Sequence, residues 1–227
     1  AYGGNAAMMH YHATPEDHAV LEKKGFLLVD SGATYMDGTT DITRTYPLGP
    51  LTEDEKRFYT WTLQSHIDLA KAVWLDYCEC KMIDTIAREP LWRHLINYRC
   101  GTGHSVSFVG NVHEGPHALN SRNTTRMRPG MVVTDEPGVY ETDLVGIRIE
   151  NELVCVHKAD NQYGTFLGFE PLMFVPIATS PILPGVLDKD EIAWLNDYHR
   201  QVFAKLAPHL NDEERSWLAE KCAAIGC

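Results

Sequence analysis

The distribution of apolar and polar residues predicts a β-hairpin in the first fifty residues. Phe26-Leu27-Leu28-Val29 is a short apolar run that ends on Asp30, as a buried strand does. Asp37-Gly38 then carries a hairpin signal, and the stretch from Thr39 to Pro47 is rich in β-branched residues. We therefore expect Asp30 and Asp41 to lie on adjacent antiparallel strands.

Two helices are predicted after the hairpin. Thr52-Glu53-Asp54-Glu55 is a capping box, and apolar residues recur at roughly helical spacing up to about Ala72. A second helix is predicted over 82–97, and Pro90 should kink or divide it because proline removes a helical hydrogen bond.

The central part of the chain returns to strands and loops. Gly101-Thr102-Gly103-His104 is punctuated by glycine, and 131–134 and 146–156 have strand patterns. In the last segment Glu150 shares one strand face with Arg148 and Glu152, so that face is either solvated or a polar site.

The pattern becomes helical again past Pro184-Gly185. The segments that begin at Asp188 and at Asn211 are both helix-start signals. The division we predict is a catalytic domain over 1–180 and a C-terminal helical extension over 181–227.

Composition narrows the function classes. The 227 residues carry a net charge of −11 without clustered Lys and Arg, which argues against nucleic acid as a partner. No stretch reaches about 18 consecutive apolar residues and the first residues do not resemble a secretion signal, so we expect no membrane association. Six cysteines without paired spacing indicate reduced thiols in a cytoplasmic protein. They are Cys78, Cys80, Cys100, Cys155, Cys222 and Cys227.

Five residues are oxygen or imidazole donors in or beside strand-like or glycine-punctuated segments, the ligand types that divalent cations prefer. They are Asp30, Asp41, His104, Glu136 and Glu150. Each has an ordinary interpretation when taken alone: Asp30 precedes Ser31-Gly32 as in a turn, and a lone histidine is more often structural. Asp41 is the exception, since an acidic residue inside a strand is disfavoured unless it is paired or binds a metal. The sequence contains no H-E-x-x-H, G-x-S-x-G or Walker motif.

Five ordered motifs resemble the catalytic domain of the X-prolyl aminopeptidases (aminopeptidase P), which are pita-bread metallopeptidases. The motifs are Asp30 to Thr45, Gly101 to His104, Asn111 to Pro116, Thr134 to Tyr140 and Gly146 to Asn151. Trp194 to His199 is similar to the C-terminal extension of the long cytosolic form. The resemblance covers essentially the whole chain and implies an α+β fold, a curved antiparallel sheet flanked by helices. It begins partway into the family's catalytic domain, so we expect a fold that is incomplete at its N-terminus.

The resemblance also implies a metal site. Asp30, Asp41, His104, Glu136 and Glu150 match the ligands of a dinuclear centre that usually holds manganese, with zinc or cobalt as alternatives. Asp41 and Glu150 would bridge the two cations, Asp30 would serve one ion, and His104 and Glu136 the other. The implied reaction is hydrolysis of the N-terminal Xaa-Pro bond by a hydroxide that bridges both cations.

Further roles follow from the same resemblance. His10 and His113 match positions that contact substrate and handle protons, Glu136 would take the proton of the nucleophile, and Arg148 would orient a carboxylate. Cys100 stands where the family usually has a histidine of the substrate pocket, and His104 is followed by Ser105-Val106-Ser107 where glycines are usual. The implied partners are peptides with proline at the second position, and the full-length form would be a homodimer.

Two alternatives remain open. A prolidase-like Xaa-Pro dipeptidase would use the same ligands and differ in what closes the cleft. A non-catalytic peptide-binding module or inactive fragment is the other, and the incomplete N-terminus is the argument for it.

Overall fold

The computed structural model describes residues 1–226, and Cys227 lies outside the described residues. Within them the chain forms ten strands, four α-helices and two short 3-10 helices. The strands are β1 (Phe26–Tyr35), β2 (Gly38–Pro47), β3 (Val73–Leu75), β4 (Gly103–His104), β5 (Ala118–Leu119), β6 (Val132–Asp135), β7 (Gly138–Glu141), β8 (Val145–Arg148), β9 (Asn151–Asn161) and β10 (Gly164–Pro171). The helices are α1 (Glu53–Ala70), α2 (Cys80–Trp92), α3 (Lys189–Leu206) and α4 (Asp212–Lys221).

Every strand pairing in the described residues is antiparallel. The largest sheet has the order β3-β10-β9-β6, and the hairpins β1-β2, β4-β5 and β7-β8 complete the strand layer. The helix α1 packs against both the strands and the C-terminal helix α3. The expected α+β architecture, an antiparallel sheet flanked by helices, is therefore confirmed.

The predicted hairpin is confirmed along its whole length. Asp30 of β1 pairs with Thr43 of β2, and Gly32 pairs with Asp41. Residues that face each other across an antiparallel pair share a face, so the Asp30 and Asp41 side chains lie on the same side of the hairpin. A Cβ atom at Gly32 would lie 2.4 Å from the carbonyl oxygen of Thr40, so glycine is required for the close approach of the two strands.

The two central helices differ in how well the sequence predicted them. The helix α1 begins at the predicted capping box, in which the Thr52 side chain accepts from the Glu55 amide and the Glu55 side chain accepts from the Thr52 amide. The predicted range 82–97 was wrong, because α2 begins at Cys80 and ends at Trp92. Pro90 falls in its last turn, and a φ of 60° at Leu95 takes the chain out of the helical path.

The strand predicted over 146–156 is in fact two strands with a break at Ile149 and Glu150. At the break the Glu150 amide donates to the Thr43 carbonyl oxygen at 3.1 Å instead of extending a β8 or β9 ladder. Arg44 Nη1 donates to the carbonyl oxygen of Glu150. The interruption therefore turns Glu150 toward β2 rather than leaving it in a regular strand.

The predicted C-terminal helices are both present. The helix α3 begins after the N-cap Asp188 and α4 after the N-cap Asn211, each with a capping box. Side chains of α3, among them Leu195 and Val202, share a core with Leu63 of α1. The domain division at residue 180 stays a prediction.

Two expectations about the chain as a whole can be compared with the described residues. None of the helices in residues 1–226 is long and apolar enough to span a bilayer. The five cysteines in this range are free thiols, whereas the expectation for Cys227 falls outside the described residues.

Arg44 joins the hairpin to the C-terminal half of the molecule. Its side chain is buried at 3% exposure. The guanidinium donates to the carbonyl oxygens of Thr43, Glu150, Val175 and Pro176, to Asn151 Oδ1 and to Tyr198 Oη. The five N–H bonds of this arginine reach six acceptors, with Nη2 shared among three, and so one side chain links β2, β9, the segment before α3, and α3 itself.

We predict that Arg44→Met lowers the free energy of unfolding by about 3 kcal/mol or more, because several buried acceptors lose their donor. The measurement is urea unfolding followed by circular dichroism. Arg57→Met is the control, since Arg57 forms only an exposed pair with Asp54 at 2.9 Å. A loss for Arg44→Met as small as that of the control, below about 1 kcal/mol, would contradict the prediction.

Candidate metal centre

Three of the five predicted donors form a tight group. One ligand atom from each of Asp41, His104 and Glu150 lies within 4.8 Å of the other two. The strand β2 supplies Asp41, the two-residue strand β4 supplies His104, and the break between β8 and β9 supplies Glu150. His104 Nε2 is 3.5 Å from Asp41 Oδ2. Residues more than a hundred positions apart thus meet at one point.

Glu136 joins this group through His104. Its Oε1 atom lies 3.1 Å from His104 Nε2 and accepts a hydrogen bond of 2.9 Å from Thr134 Oγ1. The Thr134 hydroxyl also accepts from the His104 amide at 3.0 Å. One threonine on β6 therefore fixes the spacing between two predicted ligands.

Asp30 lies at the edge of the group, and its side chain is 47% exposed. Asp30 Oδ2 is 2.7 Å from Arg148 Nη2, and Arg148 is itself buried at 4% exposure. Asp30 is outside the tight group of three, although its charge contributes to the field at Asp41. The structure thus brings four of the five predicted ligands into contact and holds the fifth beside them through an arginine.

The electrostatics of the group favour a cation. Burial, and then the charges of Asp30 and Glu136, raise the pKa of Asp41 to about 6. Burial, and then the charges of Glu136 and Asp41, also raise the pKa of Glu150 well above its usual value. Carboxylates that disfavour each other's ionisation are stabilised when a divalent cation binds between them.

His104 has the orientation of a metal ligand. Its Nδ1 atom lies 3.2 Å from the Ser105 carbonyl oxygen, which can only accept, so Nδ1 carries a proton. Its Nε2 atom faces the carboxylates, 3.1 Å from Glu136 Oε1 and 3.5 Å from Asp41 Oδ2; in the metal-free protein it donates to Glu136, and it could offer its lone pair to a cation instead. Burial lowers the pKa of His104, but the hydrogen bond and charge of Glu136 and the charge of Asp41 raise it overall. The residues present therefore fit a divalent cation: Asp41, His104, Glu136 and Glu150 could hold it, with Asp30 at the edge.

Thr43 is a site residue that the sequence analysis missed. Its side chain is fully buried, its Oγ1 donates to Glu150 Oε2 at 2.6 Å, and it accepts from Arg148 Nε at 3.0 Å. Arg148 also reaches the Tyr140 hydroxyl, at 3.2 Å. The available signal was a hydroxyl two positions after Asp41 on a strand, which places it on the same face. Thr134 also has a hydroxyl two positions from a predicted ligand, Glu136, and could have been predicted in the same way.

The predicted substrate residues surround the centre. The ring centroid of His113 is 3.9 Å from that of His104, and burial and then the charge of His104 lower the pKa of His113. His10 lines a cavity of about 270 Å³ together with Asp30 and Arg148. Burial, and then the charge of Glu136, raise the pKa of the Cys100 thiol to about 11, so Cys100 is a protonated thiol at neutral pH.

The three residues predicted to share one strand face are all buried, although they lie at the end of β8, in the break and on β9. Arg148, Glu150 and Glu152 are 4%, 1% and 5% exposed. Glu152 was not predicted as a site residue. Its carboxylate adds a further acid beside the ligand group.

The sequence matches two family models. The model of metallopeptidase family M24 matches residues 1–157, and the model of the C-terminal region of this peptidase family matches residues 165–225. A probable Xaa-Pro aminopeptidase P from Coprinopsis cinerea is 41% identical over 231 residues. That alignment covers 98% of this chain and 37% of the relative, so the chain spans little more than a third of the relative's length.

Two solved structures are similar to this chain. An X-prolyl aminopeptidase from Caenorhabditis elegans, described as a cytosolic enzyme with a di-nuclear active site, superposes with a TM-score of 0.94 at 37% identity. The superposition covers 99% of this chain and 38% of that chain. A prolidase from Pyrococcus furiosus has a TM-score of 0.64 at 29% identity and covers 76% of this chain and 47% of its own.

The raised pKa of Asp41 predicts how pH affects the stability of the metal-free protein. Between about pH 4 and pH 6 the folded state retains a proton on Asp41 that the unfolded chain has released, so its stability falls as the pH rises through this window. Asp41→Asn removes this titration. We expect the melting temperature of the wild type, relative to the variant, to decrease from about pH 4 to about pH 7 in EDTA.

The control is Asp143→Asn at an exposed position, which should leave this pH dependence in place. A difference between wild type and Asp41→Asn that is constant over the whole range would contradict the assignment.

Thr43→Val should lower the affinity for Mn²⁺ by about 10- to 100-fold, because Glu150 loses the hydroxyl that orients its carboxylate. Isothermal titration calorimetry measures the effect. Thr43→Ser keeps the hydroxyl and should keep most of the affinity. Equal affinities for the wild type and a folded Thr43→Val protein would show that the hydroxyl has no such role.

Proposed function

The chain belongs to metallopeptidase family M24 and has its pita-bread fold, and from this premise we propose that it hydrolyses the N-terminal Xaa-Pro bond of peptides. The observation that carries the proposal is the convergence of Asp41, His104 and Glu150, with donor atoms within 4.8 Å of one another and Glu136 in contact with His104. This chain spans 37% of the length of its curated relative, so activity is proposed here for the part that carries the candidate centre.

The cofactor we propose is a pair of divalent cations, manganese in the first instance, with zinc or cobalt as alternatives. Asp41 and Glu150 would contact both ions, Asp30 one of them, and His104 and Glu136 the other. Two such cations supply a water acidified to hydroxide at neutral pH and a polarised scissile carbonyl. The chemistry of the donors supports these three metals. Four of the five proposed ligands are carboxylates, which suit manganese, and the single nitrogen donor is an imidazole, which suits zinc and other transition metals.

Glu136 is the residue we propose to accept the proton of the attacking water. The Thr134 hydroxyl occupies one of its lone pairs at 2.9 Å, and Arg148 Nε stands 3.9 Å from its second oxygen. Thr134 therefore holds the carboxylate in one orientation, and Glu136 Oε2 remains available to the proton.

His113 and His10 are proposed to contact the peptide. Burial and the charge of His104 lower the pKa of His113, so His113 is neutral at pH 7 and can offer either a donor or an acceptor to the reacting amide. Cys100 replaces the usual pocket histidine. Its protonated thiol is only a weak hydrogen-bond donor, so this side of the pocket should hold the substrate less firmly.

Further properties are part of the same proposal. Peptides with proline at the second position are the proposed substrates, and the full-length protein is proposed to be a cytoplasmic homodimer. The Caenorhabditis elegans protein of similar structure is described as a cytosolic enzyme. We also propose the division into a catalytic domain over 1–180 and a helical extension over 181–227.

A second candidate is a prolidase-like dipeptidase. It is supported by the similarity to the Pyrococcus furiosus prolidase, at 29% identity over 76% of this chain. The two candidates share ligands and chemistry and differ in whether the cleft admits a peptide longer than two residues.

The test is hydrolysis of Ala-Pro-Ala-Ala and of Ala-Pro by the chain with added Mn²⁺, followed by mass spectrometry of the products. We expect release of alanine from the tetrapeptide. Glu136→Gln should lower kcat by about 100-fold or more and leave the melting temperature unchanged, because it removes the proton acceptor while keeping the shape.

Glu141→Gln, at an exposed position, is the matched control and should keep full activity. Cleavage of the dipeptide alone would favour the prolidase-like candidate. A protein that binds Mn²⁺ and cleaves neither substrate would instead be a non-catalytic peptide-binding module, whereas undiminished turnover by Glu136→Gln would reject the role of Glu136.

A further inference from the structure

A second cavity of about 790 Å³ adjoins the candidate metal centre. Three of its lining residues are near neighbours of the tight ligand group in the sequence: Thr40 precedes Asp41, Ser105 follows His104, and Glu152 is two residues after Glu150. The cavity reaches the centre through Glu152, which pairs across β9 and β6 with Thr134, the residue whose hydroxyl donates to Glu136. The cavity that contains His10, Asp30 and Arg148 shares no lining residue with it.

Buried atoms without a hydrogen-bond partner line this cavity. Glu152 is 5% exposed and its Oε1 atom has no partner, and Ser107 Oγ is also unpartnered. His117 is 6% exposed, and its Nε2 atom lies 2.7 Å from the Val132 carbonyl oxygen. Because a carbonyl oxygen only accepts, Nε2 is the donor, and the Nδ1 atom is left without a partner.

Unpaired acceptors in a buried place require donors. A carboxylate oxygen that has lost its water is destabilised unless a donor or a cation replaces that water. The buried acceptor Glu152 Oε1, together with the unpartnered Nδ1 atom of His117 and the adaptable hydroxyl of Ser107, matches a group that carries several N–H bonds and a positive charge. An ammonium has three such donors and a guanidinium has five.

The other residues that line the cavity also suit a positively charged side chain with an apolar stem. Asp37 adds a second acid, and none of the residues that line the cavity is a lysine or an arginine. Val106, Met131 and Met173 form apolar wall. A bare metal ion would leave these walls unused, whereas the methylene stem of a lysine or arginine packs against apolar surface while its charged end reaches an acid.

We propose that this cavity binds a lysine or arginine side chain of the peptide substrate, with Glu152 as the residue that selects it. The inference rests on the proposed function in one respect, that the occupant is a peptide. Glu152 is then a specificity-determining residue beside the centre rather than a ligand of it.

The experiment compares peptides that differ only in the charged end of one side chain. The pairs are Lys-Pro-Ala-Ala against norleucine-Pro-Ala-Ala and Ala-Pro-Lys-Ala against Ala-Pro-norleucine-Ala. Their binding is measured by isothermal titration calorimetry in EDTA, so that neither metal nor turnover is involved. We expect the lysine peptide of one pair to bind about tenfold tighter than its norleucine partner.

Glu152→Gln keeps the size of the side chain and removes its charge, so the preference for lysine should fall to within about twofold of none. Glu141→Gln removes one exposed negative charge elsewhere and should keep the preference. The proposal is overturned if both pairs bind equally in the wild type, or if Glu152→Gln leaves the preference intact.

A second measurement needs no variant. A water-soluble carbodiimide should join the amine of the bound lysine peptide to the carboxylate of Glu152, and mass spectrometry locates the link. Links only to other carboxylates would overturn the proposal even if Glu152→Gln does not fold. Because both readouts are independent of hydrolysis, a chain that fails to cleave Xaa-Pro bonds would refute the proposed function and leave this inference still decidable.

Discussion

Repulsion among buried carboxylates is the interaction on which the rest of this structure depends. Asp41, Glu136 and Glu150 are drawn together in a volume where burial and mutual charge raise the pKa of Asp41 to about 6 and raise that of Glu150 well above its usual value. Such an arrangement destabilises the metal-free protein and persists only because the surrounding groups fix it. Arg148 faces the acids on one side, and the Thr43 hydroxyl donates to Glu150 on another. A divalent cation would turn the same repulsion into binding energy, which is the physical basis for assigning the centre to metal chemistry.

Backbone contacts, as much as side-chain contacts, hold the proposed ligand residues in place. The break between β8 and β9 exists because the Glu150 amide bonds to the Thr43 carbonyl oxygen at 3.1 Å, and this contact delivers the carboxylate. A Cβ atom at Gly103 would lie 1.8 Å from the Thr134 carbonyl oxygen, so only glycine allows β4 to bring His104 against β6. Arg44 then joins these strands to α3 by donating to the carbonyl oxygens of Glu150 and Val175 and to the Tyr198 hydroxyl of α3. Through Tyr198 the helix α3 thereby supports the strand geometry of the centre.

The residues proposed to bind metal and the residues proposed to select the substrate side chain lie in different places around the centre. The proposed ligand residues lie within the segment 1–157 that matches the M24 family model, while the cavity lined by Glu152 and the thiol of Cys100 shape the surroundings in which a peptide would lie. Membership of metallopeptidase family M24 supports the proposed class of reaction. Family membership does not determine which substrate side chains would be preferred, because a preference depends on the pocket walls and on unpartnered polar atoms such as Glu152 Oε1.

Local signals in the sequence determined much of this protein. The capping boxes at Thr52 and Asp188 gave helix starts, and Asp37-Gly38 gave the hairpin, since these features depend on interactions within a few residues. The ordered motifs identified the candidate ligands. Tertiary structure alone decided the interruption at Glu150, the role of Thr43, the position of Asp30 beside Arg148, and the burial of Glu152. Each of these depends on a partner distant in the chain, and no local pattern records which buried polar group will meet which acceptor once the strands have packed.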